Sequence, residues 1–197
     1  MPAGAWKEGP VMSERLLLHM CCAPCASAAL PRLLADGYEV TAFFYGGNIH
    51  PREEWERRRG AVLRLVSAYG LQAVIRPYGT DEWDDAVRGF EAEPEGGARC
   101  PRCMKLQLES AARAAREVGI SALCTSLTAS PQKNPETING LGQSAAAGQG
   151  LRWESRVWRK KGGFLLSLQE CRRLDLYRQN YCGCRYSMGR LLTEERR

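Results

Sequence analysis

Strand-like and helix-like segments alternate about five times along this chain of 197 residues, and no other feature limits its fold as strongly. Apolar runs predict strands at residues 15–20, 39–45, 71–76, 120–125 and 151–158. Helices are predicted at residues 26–35, 51–69, 80–87 and 100–118, from Asn134-Pro135, and from a Ser167–Glu170 capping box. This order predicts an α/β fold whose mainly parallel sheet carries helices on both faces and a site at the carboxyl ends of its strands.

The length and the ordinary hydrophobic share of 44% fit one domain with one core. We expect this domain to span residues 15–192, between a flexible extension at 1–14 and a frayed tail at 193–197. Residues 1–13 contain no continuous apolar stretch of signal-peptide or membrane-spanning length. The sequence therefore predicts a cytoplasmic protein with no membrane partner.

Nine cysteines are many for a cytoplasmic chain, where thiols more often bind metal or perform redox chemistry than form structural disulfides. Cys21 and Cys22 directly follow the first predicted strand, and Cys100 and Cys103 stand at the start of a predicted helix. Adjacent cysteine side chains tend to diverge, which suits two corners of an iron-sulfur cube better than one tetrahedral zinc ion. An iron-sulfur centre is thus the first interpretation, and a zinc knot or buried apolar thiols are the alternatives.

A third group is Cys182-Gly183-Cys184, in which glycine permits a tight bend between the two thiols. This pair is interpreted as a redox dithiol or as ligands of a second metal, against metal ligands of the first site or buried thiols in a turn. Cys25 could complete the cluster, bind an adjacent metal or face the core. Cys124 and Cys171 have no partner at a useful spacing and are predicted to be structural.

The net charge of +6 suggests a polyanionic partner, or no more than a soluble basic surface. Backbone phosphates and a stacked base would suit the basic segment 152–161, with its Trp153 and Trp158, and Lys133 in a predicted loop. His19 precedes the cysteine pair and could donate a proton or remain a satisfied polar group. His50 follows the second strand and could contact substrate or cap a helix.

Five ordered motifs between about residues 16 and 188 resemble the cobalamin-independent epoxyqueuosine reductases, which complete the modified base queuosine in tRNA. The motifs are His19–Cys25 (HMCCAPC), Asn48–Pro51 (NIHP), Arg99–Cys103 (RCPRC), Ser130–Asn134 (SPQKN) and Leu176–Cys184 (LYRQNYCGC). The resemblance implies a Rossmann-like fold of the nucleotide-hydrolase-like (HUP) type. It also implies a 4Fe-4S cluster, a neighbouring iron and a redox-active Cys182/Cys184 pair, with cluster ligands Cys21, Cys22, Cys100 and Cys103.

The resemblance further implies a two-electron deoxygenation of epoxyqueuosine at the tRNA wobble position, fed by an electron-donor protein or a small reductant. Cys25 and His19 join Cys182 and Cys184 as predicted catalytic residues. The predicted substrate contacts to the anticodon stem-loop are Asn48, His50, Lys133, Trp153, Trp158 and Arg178. An adenylyl-sulfate reductase of related fold and a zinc-stapled RNA-binding module without catalysis are the alternative functions.

Overall fold

The computed structural model describes residues 13–188, which form one five-stranded sheet flanked by six helices. The strands are β1 (Arg15–Met20), β2 (Glu39–Phe44), β3 (Gln72–Ile75), β4 (Ala122–Thr125) and β5 (Arg152–Trp153). The helices are α1 (Ala23–Ala35), α2 (Arg52–Ala68), α3 (Asp81–Val87), α4 (Arg99–Glu117), α5 (Pro135–Ala147) and α6 (Gly163–Arg173). A short 3-10 helix covers Leu127–Ala129, and residues 185–188 are helical.

All strand pairings are parallel, in the order β3-β2-β1-β4-β5. The central strand β1 sends leucines to both faces: Leu16 and Leu18 enter one core cluster, whereas Leu17 enters the other. Helix α1 packs against α2 and α6, and α4 packs against α3 and α5. Helices on both faces bury the whole centre of the sheet, so the predicted α/β class is confirmed.

Two predicted elements differ from the observed ones. Strand β5 contains only two residues because the chain then turns inward, where the buried Trp158 indole donates to the carbonyl oxygen of Thr125 at 2.7 Å. Helix α6 begins at Gly163, so the predicted capping box at Ser167 is wrong: that serine lies inside the helix and donates to the Pro24 carbonyl. The cap at Asn134 is confirmed by its bonds from the amides of Glu136 and Thr137.

Residues 1–12 and 189–197 lie outside the described part, so most of the predicted extension and the whole predicted tail stay predictions. Within residues 13–188, no helix is both long and apolar enough to cross a membrane.

The sheet order places its switch point between β1 and β4, the two neighbouring strands whose connections run in opposite directions. Ligands of open α/β sheets bind just beyond the carboxyl ends of such strands. Here the chain leaving β1 carries Cys21 and Cys22, and the chain leaving β4 carries Ser126.

Candidate active site: two adjoining cysteine-lined cavities

The first cysteine group is built by the turn between β1 and α1. Cys22 has an extended backbone (φ −168°, ψ 162°) and precedes α1, whose first turn contains Pro24. The sulfur atoms of Cys21 and Cys22 are 4.0 Å apart, and those of Cys21, Cys22 and Cys25 all lie within 4.8 Å of one another. The expectation that the adjacent side chains diverge is therefore wrong. A tetrahedral zinc site with bonds of about 2.3 Å places its sulfurs at nearly this spacing, so the spacing of Cys21 and Cys22 does not exclude zinc.

The thiols of this group differ in their pKa values. The pKa of Cys22 lies well below its ordinary value because the Cys21 and Cys25 thiols donate hydrogen bonds to its sulfur. Donation to Cys22 correspondingly raises the pKa of Cys21, to about 12. The group is thus poised to present one thiolate, the form that ligates metals, even before any cation lowers the other pKa values.

Strand β4 supports this turn from the other side of the switch point. The Cys21 amide donates to Ser126 Oγ at 3.2 Å, and the same hydroxyl lies 3.5 Å from Cys21 Sγ. Ser126 is fully buried. The cysteine turn is therefore anchored where the sheet topology predicts a ligand.

The second cysteine group lies on the first turn of α4. The Gly96 amide donates to Cys100 Sγ at 3.2 Å, and Gln107 Nε2 donates to Cys103 Sγ at 3.1 Å. Burial raises the pKa of Cys103 to about 12. Each of the two sulfurs thus accepts a hydrogen bond, and the one from Gln107 offsets part of the burial that raises the pKa of Cys103.

The third group, Cys182-Gly183-Cys184, is held by α2. The buried Arg58 guanidinium pairs with Glu54 at 2.7 Å and donates to the carbonyl oxygens of Tyr181 and Cys182 at 3.0 and 2.9 Å. Gly183 has φ 124°, and a Cβ atom there would lie 2.8 Å from the Arg58 guanidinium. Only glycine leaves room for this close approach.

Two adjoining cavities join the three groups. The larger, of about 550 Å³, is lined by Cys21, Cys22 and Cys25, and the smaller by Cys100, Cys103 and Cys184. Gln107, Lys133 and Cys182 line both. Seven of the nine cysteines thus surround one region at the carboxyl edge of the sheet. The other two, Cys124 and Cys171, are buried in the core.

Lys133 places a cation between the cysteine groups. Its Nζ lies 3.6 Å from Cys182 Sγ. Burial alone would lower the pKa of Lys133, but the thiols of Cys182, Cys21, Cys25 and Cys103 raise it above the ordinary lysine value. Lys133 therefore stays protonated and favours negative charge on the surrounding sulfurs. In return, it opposes the rise in the pKa of Cys182 that burial causes.

The structure brings Asn48 and Arg178 to the larger cavity, together with Lys133, but it does not bring the histidines there. His19 is fully buried, its Nδ1 lies 2.8 Å from Thr125 Oγ1, and burial lowers its pKa to about 3. The imidazole is therefore neutral at physiological pH.

His50 contacts the segment that carries the third cysteine group. Its backbone amide donates to the Gly183 carbonyl at 2.8 Å, and its Nε2 lies 2.8 Å from an Arg185 guanidinium nitrogen. The Tyr181 hydroxyl donates to the His50 carbonyl. His50 thus contacts the cysteine turn, and its side chain does not cap α2.

Neither predicted tryptophan lines either cavity, which corrects the expectation that one of them stacks on a base there. Trp158 is 2% exposed and has no free ring face. Trp153 packs against Gly142, and its indole donates to Asn139 at 3.1 Å. Trp158 faces the body of the domain because the segment after β5 returns to the sheet, whereas Trp153 lies on β5 and packs against α5.

Several residues at the site went unnoticed in the sequence. Arg58 is the middle residue of the run Arg57-Arg58-Arg59, and only its spacing of four residues from Glu54 could have indicated an ion pair on one helix face. The same spacing links Cys103 to Gln107. Gln179 and Asn180 also line the larger cavity; they belong to the motif Leu176–Cys184 but were not named as site residues.

The fold and the site together define a single-domain α/β protein with a cysteine-rich centre at the switch point of its sheet. A family model described as "Epoxyqueuosine reductase QueH" matches residues 16–190. The chain belongs to this family, which is one of oxidoreductases.

Individual relatives agree with this assignment. The chain is 38% identical over 180 residues to the epoxyqueuosine reductase QueH of Acinetobacter baylyi, covering 91% of this chain and 83% of the relative. It is 35% identical over 176 residues to that of Thermotoga maritima, covering 88% and 90%. Among solved structures, the U34-tRNA thiolase NcsA from Methanococcus maripaludis, with its [4Fe-4S] cluster, has a TM-score of 0.55 at 14% identity, covering 89% of this chain and 61% of the thiolase. At that identity the likeness concerns the fold.

Proposed function

We propose that this protein reduces epoxyqueuosine to queuosine at the wobble position of tRNA, by a two-electron removal of the epoxide oxygen. The observation that carries the proposal is the convergence of cysteines at the switch point in a chain of the epoxyqueuosine reductase family, with Cys21, Cys22 and Cys25 lining the larger cavity. The adjoining cavity adds four further cysteines to the same region.

The donor set fits an iron-sulfur centre. Sulfur ligands select iron-sulfur clusters and zinc over hard cations. We assign the cluster to Cys21, Cys22, Cys100 and Cys103, and a neighbouring iron to Cys25 as one ligand. When bound, a 4Fe-4S cluster supplies electrons one at a time, and a neighbouring iron supplies a Lewis acid. The protonated Lys133 supports this assignment, since a thiolate-bound cluster carries negative charge.

Cys182 and Cys184 fit the role of a two-electron store. Removing an epoxide oxygen to leave an alkene and water consumes two electrons and two protons. Oxidation of two thiols to a disulfide forms one S–S bond and releases the same two electrons and two protons. Both cysteines are free thiols in the structure. Lys133, at 3.6 Å from Cys182 Sγ, favours the thiolate that begins such an exchange.

The substrate base must leave the anticodon stack to reach these cysteines, as bases do in other enzymes that modify them. Asn48, Lys133 and Arg178 line the larger cavity and supply polar contacts for such a base. The anticodon stem-loop of tRNA is the macromolecular partner in this proposal. An electron-donor protein or a small reductant returns the dithiol to its reduced state, and the abundance of free thiols supports a reducing, cytoplasmic location.

The test uses protein purified without oxygen. Iron, sulfide and zinc are counted, and the reduced protein is then given tRNA that carries epoxyqueuosine, with the digested nucleosides analysed by mass spectrometry. We expect a brown protein with about four or five irons per chain, and queuosine as the product. A colourless protein that holds zinc, or no queuosine under strong reductant, would contradict the proposal. Adenylyl sulfate serves as the parallel substrate, and we expect no sulfite from it.

A further inference from the structure

Two large apolar side chains are exposed side by side at the start of α6. Phe164 is 58% exposed and Leu165 is 59% exposed. Phe164 lines a groove of about 180 Å³ that shares residues with the larger cysteine-lined cavity. The shared residues are Cys25, Ser130, Pro131, Arg178 and Gln179. Phe164 therefore presents an exposed aromatic ring beside the candidate active site, although it was not singled out in the sequence.

The turn that presents Phe164 is fixed by contacts with α1. Arg32 donates to three carbonyl oxygens of the turn, those of Trp158, Lys160 and Lys161, at 3.3, 3.3 and 2.7 Å. Gly162 has φ 77°, and a Cβ atom on Gly163 would lie 1.6 Å from the Trp158 carbonyl oxygen. The close packing of this backbone holds the side chains that follow it in a defined position.

Basic residues lie on the turn that precedes Phe164. Lys160 and Lys161 are exposed, and among residues 13–188 neither forms an ion pair with a carboxylate. Arg159 donates to the carbonyl oxygens of Ser130 and Lys133, at 2.9 and 2.8 Å, and so ties the turn to the loop that enters the active site. An aromatic ring and two uncompensated cations on one rigid turn match an unpaired nucleotide, which offers a flat base and a phosphate.

We propose that Phe164 stacks on an unpaired base of the anticodon loop next to the wobble nucleotide, while Lys160 and Lys161 contact the adjacent phosphates. This inference rests on the proposed function, because it places the RNA that delivers the base to the cysteines. The groove shared with the larger cavity makes a neighbouring nucleotide the natural occupant, since one base enters the cavity and the next remains outside. A purely apolar protein partner is disfavoured by the flanking lysines.

The test measures binding of a labelled anticodon stem-loop RNA to the anaerobically purified protein by fluorescence anisotropy. Four proteins are compared: the unchanged chain, Phe164→Leu, Phe164→Tyr and Leu165→Ala. Leucine keeps an apolar side chain but removes the aromatic face, and tyrosine keeps that face. Leu165→Ala is the matched control, because Leu165 is equally exposed and does not line the groove. The iron content and the far-UV circular dichroism of each protein confirm equal folding and loading.

We expect Phe164→Leu to weaken binding about five- to a hundredfold, with Phe164→Tyr and Leu165→Ala within about twofold of the unchanged chain. A duplex that contains only the stem should bind all four proteins equally. Replacing Lys160 and Lys161 by alanine should weaken binding of the stem-loop and reduce the slope of log affinity against log salt by about 1.5 to 2.

Equal binding by Phe164→Leu and the unchanged chain would overturn the inference. Equal losses for Phe164→Leu and Leu165→Ala would also overturn it, as they would indicate a general apolar surface for a protein or lipid partner. Queuosine formation is measured separately on the unchanged chain. If no queuosine forms but RNA binding depends on Phe164, the proposed reaction is wrong and the proposed RNA contact is retained. If queuosine forms but RNA binding does not depend on Phe164, the proposed reaction is retained and the RNA contact is wrong.

Discussion

The two cysteine turns that frame the site are held in place by different means. Cys21 and Cys22 lie on a tight connection between a central strand and its own helix, and Ser126 of the adjacent strand supports them. Cys182 and Cys184 lie in a segment that belongs to no strand and depends on the distant Arg58. The first turn is fixed by its place at the end of β1, and the second by side-chain contacts from α2.

This difference agrees with the proposed roles of the two turns, one as cofactor ligands and the other as a redox dithiol. A cofactor needs ligands that stay fixed, and the end of a buried parallel strand is among the most rigid places in an α/β domain. A dithiol that opens and closes a disulfide must change its sulfur-to-sulfur distance, which a loop tolerates more easily than a strand end. Variants that change one turn at a time test whether the two turns have these different roles.

The largest expected effect separates the roles of the cysteine groups. Cys100→Ser should remove the brown colour, because it deletes a proposed cluster ligand. Cys182→Ser should keep the colour and abolish queuosine formation, because it deletes half of the proposed dithiol. The absorbance near 400 nm, the iron content and the nucleoside products are the measurements. Loss of colour in Cys182→Ser would place that sulfur among the ligands of the metal instead.

The next effect concerns the contact that holds the second turn. Arg58→Ala leaves Glu54 buried without its cation, and the side chains are only 2% and 5% exposed. We expect the free energy of unfolding, measured with urea under anaerobic conditions, to fall by about 3–5 kcal/mol.

Arg59→Ala, on the next and exposed residue of α2, is the matched control and should change stability by no more than about 0.5 kcal/mol. A small effect for Arg58→Ala would show that the cysteine turn keeps its position without this ion pair. The structural distinction between the two turns would then be lost.

A smaller effect tests the charge between the turns. Lys133→Met removes the cation that opposes the raised pKa of Cys182, so this pKa should rise further. Below the pKa, a rise in the pKa lowers the thiolate fraction, so alkylation of Cys182 at a fixed pH should slow and its pH profile should move upward. Mass spectrometry of the Cys182 peptide follows the rate. Lys105→Met, on the exposed face of α4, should leave the profile unchanged.

Most of the fold and the first two cysteine groups were predictable, because they depend on local patterns. The apolar run at residues 15–20 specified β1, and the cysteines after it necessarily reached the carboxyl edge of a parallel sheet. The position of Cys103 followed from the periodicity of α4.

The remainder of the site depends on contacts between distant segments, which no local pattern records. Arg58 and Cys182 are 124 positions apart, and a run of three arginines looks the same whether its middle member is exposed or buried. The tryptophans of segment 152–161 illustrate the same point: large aromatic residues beside basic ones suit RNA, but Trp158 is buried in the core and Trp153 packs against α5. Phe164, a few residues later, has the exposure that they lack.

The smallest predicted effect tests whether the loop that carries Lys133 is fixed locally, like the first turn. Asn134 accepts from the amides of Glu136 and Thr137 at 2.8 and 3.3 Å, which caps α5 directly after Lys133. Asn134→Ala should lower the free energy of unfolding by about 1 kcal/mol, whereas Asn134→Ser, which can still cap, should lower it by only a few tenths of a kcal/mol.

If the loop depends on this cap, Asn134→Ala should also slow alkylation of Cys182 by displacing Lys133. A stability loss with unchanged alkylation would instead assign the position of Lys133 to Arg159, which donates to its carbonyl oxygen.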